Sequence, residues 1–115
     1  MAASSYNFPD GQQGITYDSI LFSITVNSSG LNLTGAYIEM DLYDDLQAPC
    51  PVAIYSTTGS GINTSGLSIV SPTGQFQFNT QIVYLNAGLY SYNMNFFLND
   101  GSIRQYFTGN WNIVD

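Results

Sequence analysis

Asn86-Ala87-Gly88-Leu89-Tyr90-Ser91-Tyr92 reads as a turn opening onto a strand, and it carries one specific side-chain device. In antiparallel sandwiches, a Tyr at the start of a late strand, two residues before a core position, returns its hydroxyl to the backbone just upstream. Tyr90 has that place. Tyr92 stands at the core position that a cysteine fills in sandwiches with a disulfide. The run therefore predicts an all-β chain whose core closes without one.

The residues on both sides follow the same period. After the run, Tyr90, Tyr92, Met94, Phe96 and Leu98 share a face, Asn99-Asp100-Gly101-Ser102 makes a turn, and Ile103, Gln105, Phe107, Gly109, Trp111 and Ile113 share a face on the return. Asp-Gly between two alternating runs is a strong hairpin signal. Before the run, Leu67 to Val70 and Gln75 to Asn79 form a second hairpin across Ser71-Pro72-Thr73-Gly74, with Phe76 and Phe78 turned inward. Thr80 to Asn86 fits one helical turn: Thr80 is an acceptable N-cap, Ile82 and Leu85 have three-residue spacing, and Gly88 can end the turn.

Further upstream, Ile38, Met40 and Leu42 alternate with Tyr37, Glu39, Asp41 and Tyr43, giving one dry and one wet face. Ile20, Phe22, Ile24 and Val26 line one face of an earlier strand, and Tyr6 and Phe8 form a short first strand that stops at Pro9-Asp10-Gly11. Val52 to Ser56 follows Pro51 and reads as an edge strand, and Thr57 to Gly66 reads as a polar loop. The expected fold is an antiparallel immunoglobulin-like β-sandwich of about seven strands, with at most one short helical turn. Residues 1–115 read as one domain.

Composition narrows the function. One Lys or Arg stands against eight Asp or Glu, a net charge of −7, so Arg104 alone supplies no phosphate-neutralising surface. Nucleic acid and anionic membrane surfaces are disfavoured as partners. Charged residues make up only 8% of the chain, and Ser, Thr, Asn, Gln and Gly carry its polarity. Nine Tyr and seven Phe exclude a disordered chain. Cys50 is the only cysteine, so neither an intrachain disulfide nor a cysteine zinc site is expected. The residues after Met1 carry neither a basic region nor an apolar run, so no signal peptide is expected.

The later half resembles a known family, the small immunoglobulin-like virion structural proteins of tailed bacteriophages, similar to the N-terminal modules of baseplate upper proteins. The likeness rests on Leu33-Thr34-Gly35-Ala36-Tyr37-Ile38, on Thr73-Gly74-Gln75-Phe76-Gln77-Phe78, on Leu85, Gly88, Tyr90 and Tyr92, and on Asp100-Gly101, Ile103 and Gly109. Asn93 stands where the family often has Asp. The resemblance implies a non-enzymatic structural component, made in the host cytoplasm and located in the virion. Its expected partners are other phage structural proteins and further copies of itself.

The residue inventory points the same way. The chain has no His, which removes the usual general base and the Ser-His-Asp and Cys-His arrangements. No catalytic residue and no cofactor is expected. Glu39, Asp41, Asp44 and Asp45 are the only carboxylate concentration, and they are weak candidates for a hard cation such as Ca²⁺ because the EF-hand spacing and its Gly are absent. Tyr37, Tyr43 and Tyr55 sit on the polar phase of their strands and Tyr106 sits opposite the Trp111 phase, so these four are candidates to face a partner or ligand. An alternative role as a carbohydrate-binding or host-adhesion module rests on the same tyrosines and on the acidic loop after Tyr43.

Overall fold

The computed structural model describes residues 4–26, 29–44, 51–57, 63–64 and 66–115. The period-two patterning puts these residues into strands, with no helix among them. In chain order the strands are β1 (Ser4–Ser5), β2 (Phe8–Gln12), β3 (Thr16–Tyr17), β4 (Ile20–Ser23), β5 (Thr25–Val26), β6 (Ser29–Gly30) and β7 (Tyr37–Tyr43). They continue with β8 (Ala53–Ser56), β9 (Asn63–Thr64), β10 (Leu67–Ser71), β11 (Gln75–Phe78), β12 (Gln81–Ile82), β13 (Gly88–Phe97) and β14 (Ile103–Val114).

A large sheet has the order β1-β14-β13-β7-β8-β9, with β2 also on β14. Its central pairs β14–β13, β13–β7 and β7–β8 are antiparallel, while β1 and β2 join β14 in parallel. A small antiparallel sheet has the order β10-β11-β4. Two short ladders, β3–β12 and β5–β6, complete the described pairings.

The two sheets meet through aromatic rings. Phe76 of the small sheet meets Phe96 of the large one edge-on at 5.2 Å, and Phe78 meets Trp111 at 5.5 Å. Phe22 stacks on Phe76 at 4.9 Å, and Phe8 reaches Phe22, Phe78, Tyr92 and Trp111 from the first strands. Each such pair adds about 0.5–1.5 kcal/mol beyond the area buried. Ile38, Met40, Leu42 and Met94 fill the rest, wholly out of solvent. This is an all-β arrangement consistent with a β-sandwich.

The buried tyrosines carry their hydroxyls to the rim of this core, where loop carbonyls accept them. Tyr90 Oη donates to the Asn86 carbonyl at 2.6 Å, the return that the opening run predicts. Tyr92 Oη donates to the Tyr6 carbonyl and Tyr17 Oη to the Pro9 carbonyl, both at 2.6 Å. Tyr92 therefore fills its core position with an aromatic ring and fastens the N-terminal strand with its tip, without a disulfide.

Several expectations change. Thr80 to Asn86 holds no helical turn: Gln81 and Ile82 pair with Tyr17 and Thr16, and Gly88 begins β13. A short segment takes its conformation from its partner strand, and β3 supplies one. The first strand runs on through Pro9 to Gln12, because pairing with β14 shifts register between Trp111 and Ile113 and the proline needs no ladder bond there. The strand β8 is not the outermost, since β9 pairs with it in parallel.

The last hairpin also carries a bulge: Met94 pairs with Phe107 and Asn95 with Gln105, leaving Tyr106 as the extra residue. Beyond it Ile103 and Gln105 pair with Phe97 and Asn95 on the outer face, opposite to the phase that alternation alone predicts.

Candidate functional site

The most differentiated surface is the outer face of the large sheet. Its residues are those that alternate with the core positions of β7 and β13, so the register lines them up in rows. Tyr37, Phe97 and Ile103 form the first row, Glu39, Asn95 and Gln105 the second, Asp41, Asn93 and Thr108 the third, and Tyr43, Ser91 and Asn110 the fourth.

The first row is apolar, with Tyr37 and Ile103 exposed and Phe97 half-buried. Tyr37 and Phe97 stack with centroids 4.4 Å apart and planes 5° from parallel, so each ring gives one face to the other. Tyr37 is 38% exposed and Ile103 is 63% exposed. Such a row beside polar neighbours has the composition of a contact patch, with aromatic residues inside and polar ones around them.

The second and third rows are amides and carboxylates. Gln105 Nε2 donates to Asn93 Oδ1 at 2.8 Å, which fixes that amide pair. Burial pushes the Glu39 carboxyl up from its ordinary 4.5 to about 7, helped by a hydrogen bond to Asp41 and by the charge of Asp41. Asp41 Oδ1 is shielded from solvent and has no hydrogen-bond partner among the described residues. Asp41 Oδ1 is therefore one acceptor of this face that its neighbours leave unmatched.

A pH dependence follows. The folded-state value for Glu39 lies above the unfolded one, so between pH 4.5 and about 7 the folded protein holds a proton that the unfolded chain has released. Stability from this group is fully present below the unfolded value and is lost as pH rises through the folded one. Denaturant titrations should show Glu39→Gln flattening this fall and leaving the protein more stable than the parent at pH 8. An unchanged slope would remove Glu39 as its source.

The predicted site residues divide. Tyr37 and Tyr43 lie on the outer face with Glu39 and Asp41. Tyr55 is buried at the core, 5.3 Å from Phe78, because it pairs opposite Met40 and takes the inward phase, so it faces no ligand. Tyr106, at the bulge, is half-buried and packs edge-on against Phe96 at 5.2 Å, rather than on the outer face. Asp44 is exposed past the end of β7, and its charge is felt at the Tyr90 hydroxyl. Asp45, like Cys50, lies outside the described residues. Among the described residues no three His, Cys, Asp or Glu side chains come together to hold a metal ion.

Phe97 and Ile103 complete the apolar row, and sequence reasoning did not find them. The signal available was the Phe96-Phe97 pair: in an alternating strand, adjacent phenylalanines cannot both face inward. Asp100, in the turn beside this row, accepts from the Ser102 hydroxyl at 2.6 Å and from its N–H at 2.9 Å. Those bonds hold its carboxyl below the usual range, with Arg104 a smaller cause. Compared with protein-family models, curated proteins and solved structures, the chain matches none of them.

Proposed function

We propose that this chain is a non-enzymatic, immunoglobulin-like structural module of a tailed bacteriophage particle, acting through protein–protein contact. In immunoglobulin lettering the strand orders correspond to G-F-C-C′ for β14-β13-β7-β8 and D-E-B for β10-β11-β4, with the first strand on G. That correspondence and the Tyr90 corner support the fold family. The resemblance of its short motifs to those of small virion proteins motivates the role.

The observation that carries the contact reading is the outer face, where the Tyr37-Phe97-Ile103 row, open at Tyr37 and Ile103, lies beside the carboxyl groups of Glu39 and Asp41. A partner for this face brings apolar surface together with N–H or cationic donors. A second copy of the chain has one cation and would set carboxylates against carboxylates, so the face suits a different structural protein.

Quantitative mass spectrometry of density-purified particles tests this. The chain should be present at a fixed stoichiometry, and Ile103→Lys should cut its incorporation about ten- to hundredfold, the loss of one buried apolar anchor. Its folded stability should stay within about 0.5 kcal/mol of the parent, as for an exposed position. Absence from particles, together with a specific hit in a glycan-array screen, would overturn the reading in favour of adhesion.

A further inference from the structure

The small sheet ends in a strand with an open edge. Among the described residues β4 pairs with β11 and with no other strand. The Ile24 N–H bonds inward to the Gly74 carbonyl at 2.9 Å. Alternate residues of an antiparallel strand direct their backbone groups to opposite sides. Ile20 and Phe22 therefore bond toward β11, and the N–H and C=O groups of Leu21 and Ser23 face outward.

Among the described residues this edge lacks the usual protection. Natural edges are blunted by lysine, proline, a bulge, an inward charge or a covering segment. The run Ile20-Leu21-Phe22-Ser23-Ile24-Thr25-Val26 has no charge, no proline and no glycine, a composition that favours strand pairing. Leu21 is 57% exposed on the outer side of the sheet, opposite Gln77.

We propose that a second copy of this chain pairs antiparallel along β4, with a two-fold axis at Phe22 that sets Leu21 of each copy opposite Ser23 of the other. In this register both outward-facing residues become hydrogen-bonded pairs, each exchanging two bonds, so the edge groups of both copies are satisfied reciprocally. Two three-stranded sheets become one continuous sheet, and the two Leu21 side chains lie diagonally within reach of each other on its surface.

The register selects the occupant: the outward groups of Leu21 and Ser23 lie symmetrically about Phe22, so an identical strand satisfies them reciprocally. Each copy carries −7, and charge permits this pairing because the strand itself has no carboxylate. Asp18, the carboxylate nearest to it in sequence, falls opposite Val26. The pairing deepens the assembly reading by naming one partner, at a surface separate from the outer face of the large sheet.

Sedimentation velocity from low micromolar to millimolar concentration, with hydrogen exchange at both ends of the range, tests it. A dimer should form, and the Leu21 and Ser23 amides should exchange about tenfold or more slowly in it. Ser23→Pro removes an outward N–H and leaves the β4–β11 bonds in place, so it should give a folded monomer, while Ser23→Thr should still dimerise. If Ser23→Pro loses its native near-ultraviolet circular dichroism, Leu21→Lys on the exposed side serves instead.

A monomer at all concentrations, a dimer whose Leu21 and Ser23 amides exchange freely, or a dimer unaffected by both substitutions would each overturn the pairing. An oligomer formed elsewhere on the surface overturns the pairing and leaves the assembly reading standing. A β4 dimer that is absent from particles does the reverse.

Discussion

Replacing Trp111 by Ala should destabilise the protein by about 3–5 kcal/mol, the cost of emptying a large aromatic site in a packed core. At about 4 °C per kcal/mol for a domain of this size, the thermal midpoint should fall by roughly 12–20 °C. The effect is large because three structural units converge on this ring. Trp111 is 1% exposed and pairs with Tyr90 of β13 on one side and Phe8 of β2 on the other. Its ring lies 5.0 Å from Tyr17, 5.5 Å from Phe8 and 5.5 Å from Phe78. Removing it opens a void that no single side chain can refill. Trp111→Phe, which keeps an aromatic ring there, should cost much less. Urea denaturation of the two variants reads this, and a loss below about 1 kcal/mol for Trp111→Ala would contradict the packing described.

Gly109→Ala should destabilise by about 2–4 kcal/mol through the N-terminal strand rather than through the site of substitution. Gly109 lies in β14 opposite Tyr92, and a Cβ there would overlap the Tyr6 carbonyl. That carbonyl is the acceptor of the Tyr92 hydroxyl, and the Tyr6 N–H donates to Thr108 at 2.8 Å. An added methyl forces the first strand away from β14. The cost combines about 1–3 kcal/mol of overpacking with about 1 kcal/mol for each hydrogen bond loosened. Hydrogen exchange should show the Tyr6 amide losing protection while amides in the β13–β7 ladder keep theirs. Retained protection at Tyr6 would mean that the first strand does not rest on Gly109.

These two positions also show what the sequence made legible. Trp111 was readable as core because it alternates with Ile113 in a strand whose turn, Asp100-Gly101, is unmistakable. The Tyr90 corner was readable because its geometry is local, four residues from donor to acceptor. The contact of Gly109 with Tyr6 was not, because it depends on a parallel pairing between the two ends of the chain. No local pattern encodes that pairing.

The outer face shows the same division. Tyr37, Glu39, Asp41 and Tyr43 were placed by the period of one strand, but the apolar row needed Phe97 and Ile103. Ile103 reached it only because the bulge at Tyr106 reverses the phase of β14. A bulge inserts one residue between two patterned runs and leaves each run looking regular by itself. Tyr55 failed for a related reason: in a four-residue strand, Ile54 and Tyr55 offer two opposite phases, and the pairing of Tyr55 with Met40 decides between them.

The claim that this chain works through its outer sheet face is best tested by hydroxyl-radical footprinting of the chain in purified particles and free in solution. Tyr37, Phe97 and Ile103 should lose most of their labelling in the particle, while Tyr84, which is 84% exposed and lies outside β7, β13 and β14, should serve as the reference that is labelled in both. Equal labelling of Tyr37, Phe97 and Ile103 in the two states would contradict the claim.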